Sequence, residues 1–225
     1  MYKCLMHASD HFDRLYRETE RYWWRDKDRY STDRDAYPYS LLTQHTLRLL
    51  HDQPAGRALD LGAGEGADSI RLALLGYQVD AVEISAVAAE KISHFAEEAG
   101  AKVRVVVADI RAFIPDNSYD VIFCNGVLHY LDEKEQVVTR MQEATRPGGI
   151  NVVSLWSSHT PVPECHESIP VFCDDEDGIV AALYQGWPKE LLYFERDKAE
   201  TSHSDLPSHR HSHIKLIARR PLPAR

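Results

Sequence analysis

The stretch Arg57–Gly66, RALDLGAGEG, holds a short apolar run followed by glycines at every second position, Gly62, Gly64 and Gly66. Ala58, Leu59 and Leu61 make a run of the length of a buried strand. A helical pattern follows at once, with Ile70, Ala73 and Leu74 on one face. The reading is therefore strand, glycine turn, helix. Glycine lets the backbone turn tightly and come close to a bound molecule. The new helix aims its unpaired N–H groups at whatever occupies the turn. A nucleotide-like ligand is expected there.

Outward from this turn the pattern alternates. Gly76 ends the first helix. Gln78–Val82 reads as a strand closing on Glu83, and Ser85 caps a helix that ends at Gly100. Lys102–Val107 is a β-branched strand closing on Asp109. Tyr119–Cys124 is a further strand, Glu133–Thr145 a helix, and Ile150–Trp156 a fifth strand after the Pro147-Gly148-Gly149 turn. This spacing predicts an α/β domain, a parallel sheet with helices on both faces. Such sheets bind ligands beyond the carboxyl ends of their strands, where Glu83, Asp109, Asn125 and Trp156 fall. Residues 157–188 are irregular, with a short helix expected at Ile179–Tyr184. Leu191–Glu195 and His211–Ala218 look like two more strands joined by a polar loop.

Residues 1–52 are polar and helix-rich. One amphipathic helix is expected to carry Phe12, Leu15, Tyr16, Tyr22 and Trp23. A second, from Tyr39 to about Leu50, turns Leu42, Thr46, Leu49 and Leu50 inward. The Tyr22-Trp23-Trp24 cluster reads either as packing against the main domain or as a lid over a ligand. The expected division is an N-terminal helical lid over 1–52 and a main domain over 53–225.

The bulk properties narrow the class. With 225 residues, 44% of them hydrophobic, the chain is long enough for one large domain with a true core. No apolar run approaches the roughly 20 residues needed to span a bilayer, and MYKCLMHASDHFDR lacks the apolar centre of a signal peptide. A cytoplasmic location without a membrane partner is expected. Cys4, Cys124, Cys165 and Cys173 are scattered, which argues against a zinc site or a disulfide framework. The net charge of −9 disfavours a nucleic-acid partner.

Two ligand classes use a strand–glycine–helix turn followed by an acid about 20 residues on. One is a dinucleotide, whose looser fingerprint Gly62, Gly64 and Ala67 satisfy. The other is S-adenosylmethionine. Asp60 suits the cationic amino-acid end of that cofactor and is awkward beside a pyrophosphate. Asp109 can accept from an adenine amino group while Ile110 packs on the ring. The fifth strand is preceded by RPGG, and the chain closes with two further strands where a nicotinamide enzyme would ordinarily add a sixth parallel one.

LDLGAGEG, VEIS, ADI, YDVIFCNGVLHYL and RPGGINVVSLW together resemble the successive motifs of a class I S-adenosylmethionine-dependent methyltransferase, over about half of the chain. Beyond that core the chain is similar to the TehB-like (tellurite-resistance) family: RYSTDR resembles its N-terminal cofactor lid, GYQVDAVEIS its second-strand segment, and GWPKELLYFERDKAETSH with IKLIARR its closing segment. The resemblance implies a Rossmann-like, seven-stranded, mostly parallel sheet with the last strand antiparallel. It also implies that Gly62, Ala63, Gly64 and Gly66 wrap the methionine end, with Asp60 supporting them. Glu83 then accepts both ribose hydroxyls, Ile84, Asp109 and Ile110 hold adenine, and Asn125 closes the site. Tyr30 and Arg34 match the lid, with Arg34 a partner for the cofactor carboxylate.

The sulfonium methyl is already activated, so an enzyme of this kind aligns a nucleophile and excludes water. A soft nucleophile needs no base, whereas a hydroxyl or protonated amine does. His129, His203, His209 and His211 are candidate bases, and His159 and His166 sit in the loop expected to shape the acceptor pocket. If His209–His213 opens the last strand, His209, His211 and His213 share one face and Arg210 the other with Ser212. Three histidines at period two could also ligate a metal. No carboxylate or cysteine neighbours them in a ligand-like pattern, and methyl transfer needs no metal, so none is expected. The site set is His203, Arg210 and His129 for catalysis beside the cofactor residues above. The expected function is methylation of a small-molecule acceptor by a monomer or homodimer. The alternatives are a biosynthetic N- or O-methyltransferase acting on a natural-product intermediate, a non-catalytic cofactor-binding protein and, more remotely, a nicotinamide oxidoreductase.

Overall fold

β1, Arg57–Leu61, is the third strand across a seven-stranded sheet, with a parallel neighbour on each side. The computed structural model describes residues 7–22, 40–166, 168–200 and 207–223. In chain order the elements are α1 (Ala8–Arg17), α2 (Leu41–Leu50), β1, α3 (Ala67–Leu74), β2 (Gln78–Glu83), α4 (Ala86–Glu98), β3 (Val103–Val107) and β4 (Tyr119–Asn125). There follow α5 (Lys134–Ala144), β5 (Thr145–Trp156), α6 (Ile179–Leu183), β6 (Lys189–Ala199) and β7 (Arg210–Arg219). The strand order is β3-β2-β1-β4-β5-β7-β6. β7 alone runs against its neighbours, antiparallel to both β5 and β6. The sheet is thus mostly parallel with its last strand reversed, as expected.

The order reverses between β1 and β4, so the glycine turn after β1 opens at the topological switch point, where α/β sheets hold their ligands. Alternation along each strand separates two cores. Leu59, Leu61, Ile122, Cys124, Val153 and Leu155 face α5 and α6 with Val138, Met141 and Tyr184. Ala58, Val79, Val121, Phe123, Val152 and Ile217 face the other way, against Leu42, Leu50 and Leu72. Burial on both faces explains why these strands read as near-continuous apolar runs.

Several expectations change in detail. α1 stops at Arg17, so Tyr22 lies beyond it, although still buried; Trp23 and Trp24 lie outside the described residues. α2 begins at Leu41, capped by the Ser40 hydroxyl, which accepts from the Thr43 N–H. It buries Leu47 as well, and Leu49 is half-buried against the core. The boundary expected at residue 52 assigns α2 to a lid, yet Leu42 and Leu50 belong to the sheet's core. In α3 it is Leu72 that is buried, and Leu74 is exposed. α3 is wedged between α4 and the sheet, and Thr43 of α2 bonds to its Asp68, so its inward face is wider than one stripe. The Pro147-Gly148-Gly149 turn is absorbed into the start of β5 as an irregularity opposite Tyr119–Val121.

Candidate cofactor and acceptor site

The glycine turn is tied to the next strand. The N–H groups of Gly62 and Ala63 both donate to the Val82 carbonyl, at 2.8 and 3.1 Å, and the Gly66 N–H donates to the Ala63 carbonyl at 2.9 Å. Gly62, Gly64 and Gly66 have φ of +71°, +56° and +84°, a region that L side chains rarely adopt. A Cβ on Gly62 would lie 2.4 Å from Val127, which follows β4, and one on Gly66 would lie 3.0 Å from Ile92 of α4. The turn is therefore closely flanked on two sides.

Three buried carboxylates surround it. Glu83 ends β2 and takes the Gly64 N–H on Oε2 at 2.8 Å and the Ser85 N–H on Oε1 at 3.0 Å. Burial raises its pKa, against the pull of those N–H donors. Asp60 Oδ2 takes the Ser69 hydroxyl at 2.6 Å. Its pKa is pushed up to about 7, chiefly by burial and then by the nearby negative charge of Asp68. Asp68, in the first turn of α3, accepts from the Thr43 hydroxyl at 2.9 Å and from Asn125 Nδ2 at 3.1 Å. Asn125 in turn accepts from the Ser154 hydroxyl at 2.6 Å. Asp68 was not among the expected residues; an acid in the first turn of the helix after the glycines was its only signal.

The expected adenine side carries an ion pair of its own. Asp109 does follow β3, but Arg111 engages its carboxylate through the backbone N–H at 2.8 Å and through Nε and Nη2. Burial alone would raise the Asp109 pKa, but the bonds and charge of Arg111 hold it below the usual value. Ile110 is buried in the core, and Ile84 is half-buried beside Glu83.

α1 contacts the start of α4 and the segment after β4. Asp13 Oδ1 accepts from the Ser85 hydroxyl at 2.5 Å and from the Val87 N–H at 3.3 Å, at the start of α4. Phe12 meets Tyr130 edge-on, with ring centroids 5.3 Å apart, and His11 Nδ1 is 3.2 Å from the Ser168 hydroxyl. Glu65, also unforeseen, is buried in the turn itself and takes the Tyr22 N–H and the Lys91 ammonium.

Beyond β4 and β5 stands a wall of stacked rings. The Trp156 indole lies between His129, 4.5 Å away at 7° between planes, and His211, 3.9 Å away at 27°. His166 meets Trp156 edge-on at 4.9 Å. β7 runs backwards, and that direction brings His211 to the carboxyl edge of the sheet. His129 is neutral, its pKa driven far down by burial and then by the neighbouring histidines. Its Nδ1 has no hydrogen-bond partner among the described residues. His211 is likewise pushed down, to about 3, by burial and by His166 and His209. Arg210 is exposed on the opposite face, bonded to the Asp197 carbonyl of β6 and apart from the histidines. His203, Tyr30 and Arg34 lie outside the described residues. Cys165 comes beside His166 and His209.

Residues 58–149 match the family model of a methyltransferase domain. The chain is 32% identical to Hemagglutinin 1 of Eikenella corrodens, over 62% of this chain and 45% of that protein. It is 26% identical to a probable S-adenosyl-L-methionine-dependent methyltransferase TehB of Haemophilus influenzae, over 66% of this chain and 51% of that one. The chain thus spans about half the length of these curated relatives. The crystal structure of TehB from Haemophilus influenzae superposes with a TM-score of 0.65 at 21% identity, covering 77% of this chain and 60% of that one. The N-methyltransferase NodS from Bradyrhizobium japonicum, solved with S-adenosyl-L-homocysteine, superposes at 0.64 and 15% identity over 95% and 98%.

Proposed function

We infer that this chain, which belongs to the class I S-adenosylmethionine-dependent methyltransferases and is TehB-like, moves a methyl group from that cofactor to a small-molecule acceptor. The observation that carries the reading is the Glu83 carboxylate, fixed against the glycine turn by the Gly64 and Ser85 N–H groups. Each of its oxygens keeps a lone pair for a ribose hydroxyl. Asp60, Asp68 and Glu83, all buried about one turn, would repel a pyrophosphate and suit a cationic amino-acid end.

The residues fit the cofactor. Gly62, Ala63, Gly64 and Gly66 would wrap its methionine end with Asp60 and Asp68 toward the ammonium. Ile84, Asp109 and Ile110 would border adenine, Asn125 would close the site, and Tyr30 and Arg34 would complete the lid. When bound, the sulfonium supplies a methyl group activated for in-line displacement. The chain's part is to hold the acceptor and keep water out. Trp156, His129 and Tyr130 present a water-poor aromatic wall, and burial drives the His129 pKa far down and makes it a weak base, so the wall suits a soft nucleophile that arrives without a proton to lose. His203 remains a candidate base, whereas Arg210, exposed on the face away from these rings, does not. In this reading the protein acts in the cytoplasm as a monomer or homodimer, with neither nucleic-acid nor membrane partners. No described helix is long and apolar enough to cross a membrane.

Calorimetric titration with S-adenosylmethionine, S-adenosylhomocysteine and NADH, followed by turnover on a panel of thiol, selenite, amine and hydroxyl acceptors, tests the reading. Saturable binding of the first two and methylation of one acceptor class are expected. NADH binding in their place would overturn the cofactor. Binding without turnover on any class would leave a non-catalytic cofactor-binding protein.

A further inference from the structure

Cys165 and His166 sit together in a single 3-10 turn, Glu164–His166, and His209 immediately precedes β7. One ligand atom from each lies within 4.8 Å of the other two. The Nε2 atoms of His166 and His209 face each other at 3.1 Å, a spacing that requires a proton between them. His209 Nδ1 is 2.6 Å from the Pro207 carbonyl. A carbonyl only accepts, so Nδ1 carries the His209 proton and Nε2 offers its lone pair. His166 therefore supplies the shared proton. A fourth group stands beside them: the His211 ring is 4.7 Å from that of His209 and 5.0 Å from that of His166. It is 3% exposed, and its Nε2 has no hydrogen-bond partner among the described residues.

We propose that Cys165, His166 and His209 form a binding site for a zinc-class divalent ion, with His211 bordering its fourth position. A thiolate with imidazoles and no carboxylate is a donor set for zinc rather than for magnesium or calcium. In a tetrahedral zinc site, ligand atoms lie roughly 3.3–3.7 Å from one another, from bond lengths of about 2.0–2.3 Å. The spacing here needs only side-chain adjustment to meet that. Binding forms one metal–sulfur and two metal–nitrogen bonds without any change of oxidation state. The Cys165 thiol gives its proton to solvent, and His166 moves its proton from Nε2 to Nδ1. The ion would clamp the loop after β5 to the head of β7, behind Trp156. The site backs onto the proposed acceptor wall through Trp156, but its test reads metal binding and does not use methyl transfer.

The test takes the full chain without a polyhistidine tag, stripped of metal and titrated with zinc against a chromophoric chelator, then with cobalt(II) by absorption. One zinc per chain and a near-ultraviolet sulfur-to-cobalt charge-transfer band are expected. Cys165→Ser should abolish the band and weaken zinc binding at least tenfold, and His209→Ala should weaken it by a similar factor. Cys173→Ser should change neither, and circular dichroism should show every variant folded. Absence of saturable binding, binding indifferent to both Cys165→Ser and His209→Ala, or a band lost in Cys173→Ser would overturn the site.

Discussion

The backbone N–H of Tyr22 points between the two carboxylate oxygens of Glu65, 3.0 Å from Oε1 and 2.8 Å from Oε2. Lys91 of α4 reaches the same carboxylate at 2.9 Å and the Thr19 carbonyl at 2.6 Å. One buried acid thereby joins the glycine turn, α4 and the stretch that follows α1. Glu65→Ala would strand a buried N–H and an ammonium, at a cost of roughly 1–3 kcal/mol. Denaturant titration should read that loss, and amide exchange over residues 8–22 should speed up. Unchanged exchange would mean that Asp13 and Ser85 hold the segment without it. In the intact protein, the same amides should slow when S-adenosylhomocysteine binds, if the segment serves as a lid.

Glu83→Gln should weaken S-adenosylmethionine about 10- to 100-fold, which is roughly 1.5–3 kcal/mol. The amide keeps the side chain's shape but loses the charge and one acceptor oxygen, while Gly64 and Ser85 still compete for what is left. Titration calorimetry on the folded variant checks this. Affinity equal to that of the parent would move the ribose elsewhere.

Cofactor affinity should depend on pH through Asp60. Its carboxyl is raised from 3.8 to about 7 by burial and by Asp68, so it is neutral in the empty site below that pH. A raised carboxyl contributes stability that is full below about 3.8 and is lost as pH rises through about 7. A cationic ligand needs the ionised form. Affinity should therefore rise between about pH 6 and 8, and binding at the lower end should release a proton, visible as an enthalpy that varies with the buffer's ionisation heat. Asp60→Asn should flatten the profile; a slope that persists would assign the proton to another group.

Gly62→Ala should destabilise the fold by about 1–3 kcal/mol, since its Cβ would stand 2.4 Å from Val127 and its φ is +71°. Val127→Ala in the same chain removes the methyl groups in the way but not the backbone strain. It should recover part of the loss in melting temperature, and complete recovery would show that the left-handed conformation costs nothing here.

The strands and the turn were legible because each has a local cause: apolar runs of strand length, glycines, and Ser85 as a cap. Glu83 and Asn125 came out at the ends of β2 and β4 for the same reason. The misses share a different cause, in that they depend on what lies opposite. Asp68 and Glu65 matter through Thr43, Asn125, Tyr22 and Lys91, none of them a sequence neighbour. Leu74 faces outward because α3 is enclosed on more than one side. Cys165 meets His209 only because β7 enters the sheet from its carboxyl edge, and spacing along the chain carries no trace of that contact.

The reversed direction of β7 also divides the labour between stretches of chain. The ladder of β2, β1 and β4 that carries the glycine turn is complete by Asn125, whereas the stacked rings opposite come from the stretch between His129 and His211. Insertions or deletions between β5 and β6, or between β6 and β7, would remodel that ring wall and leave the ladder's register untouched. Evolution can thus revise one side of the cleft repeatedly while inheriting the other intact.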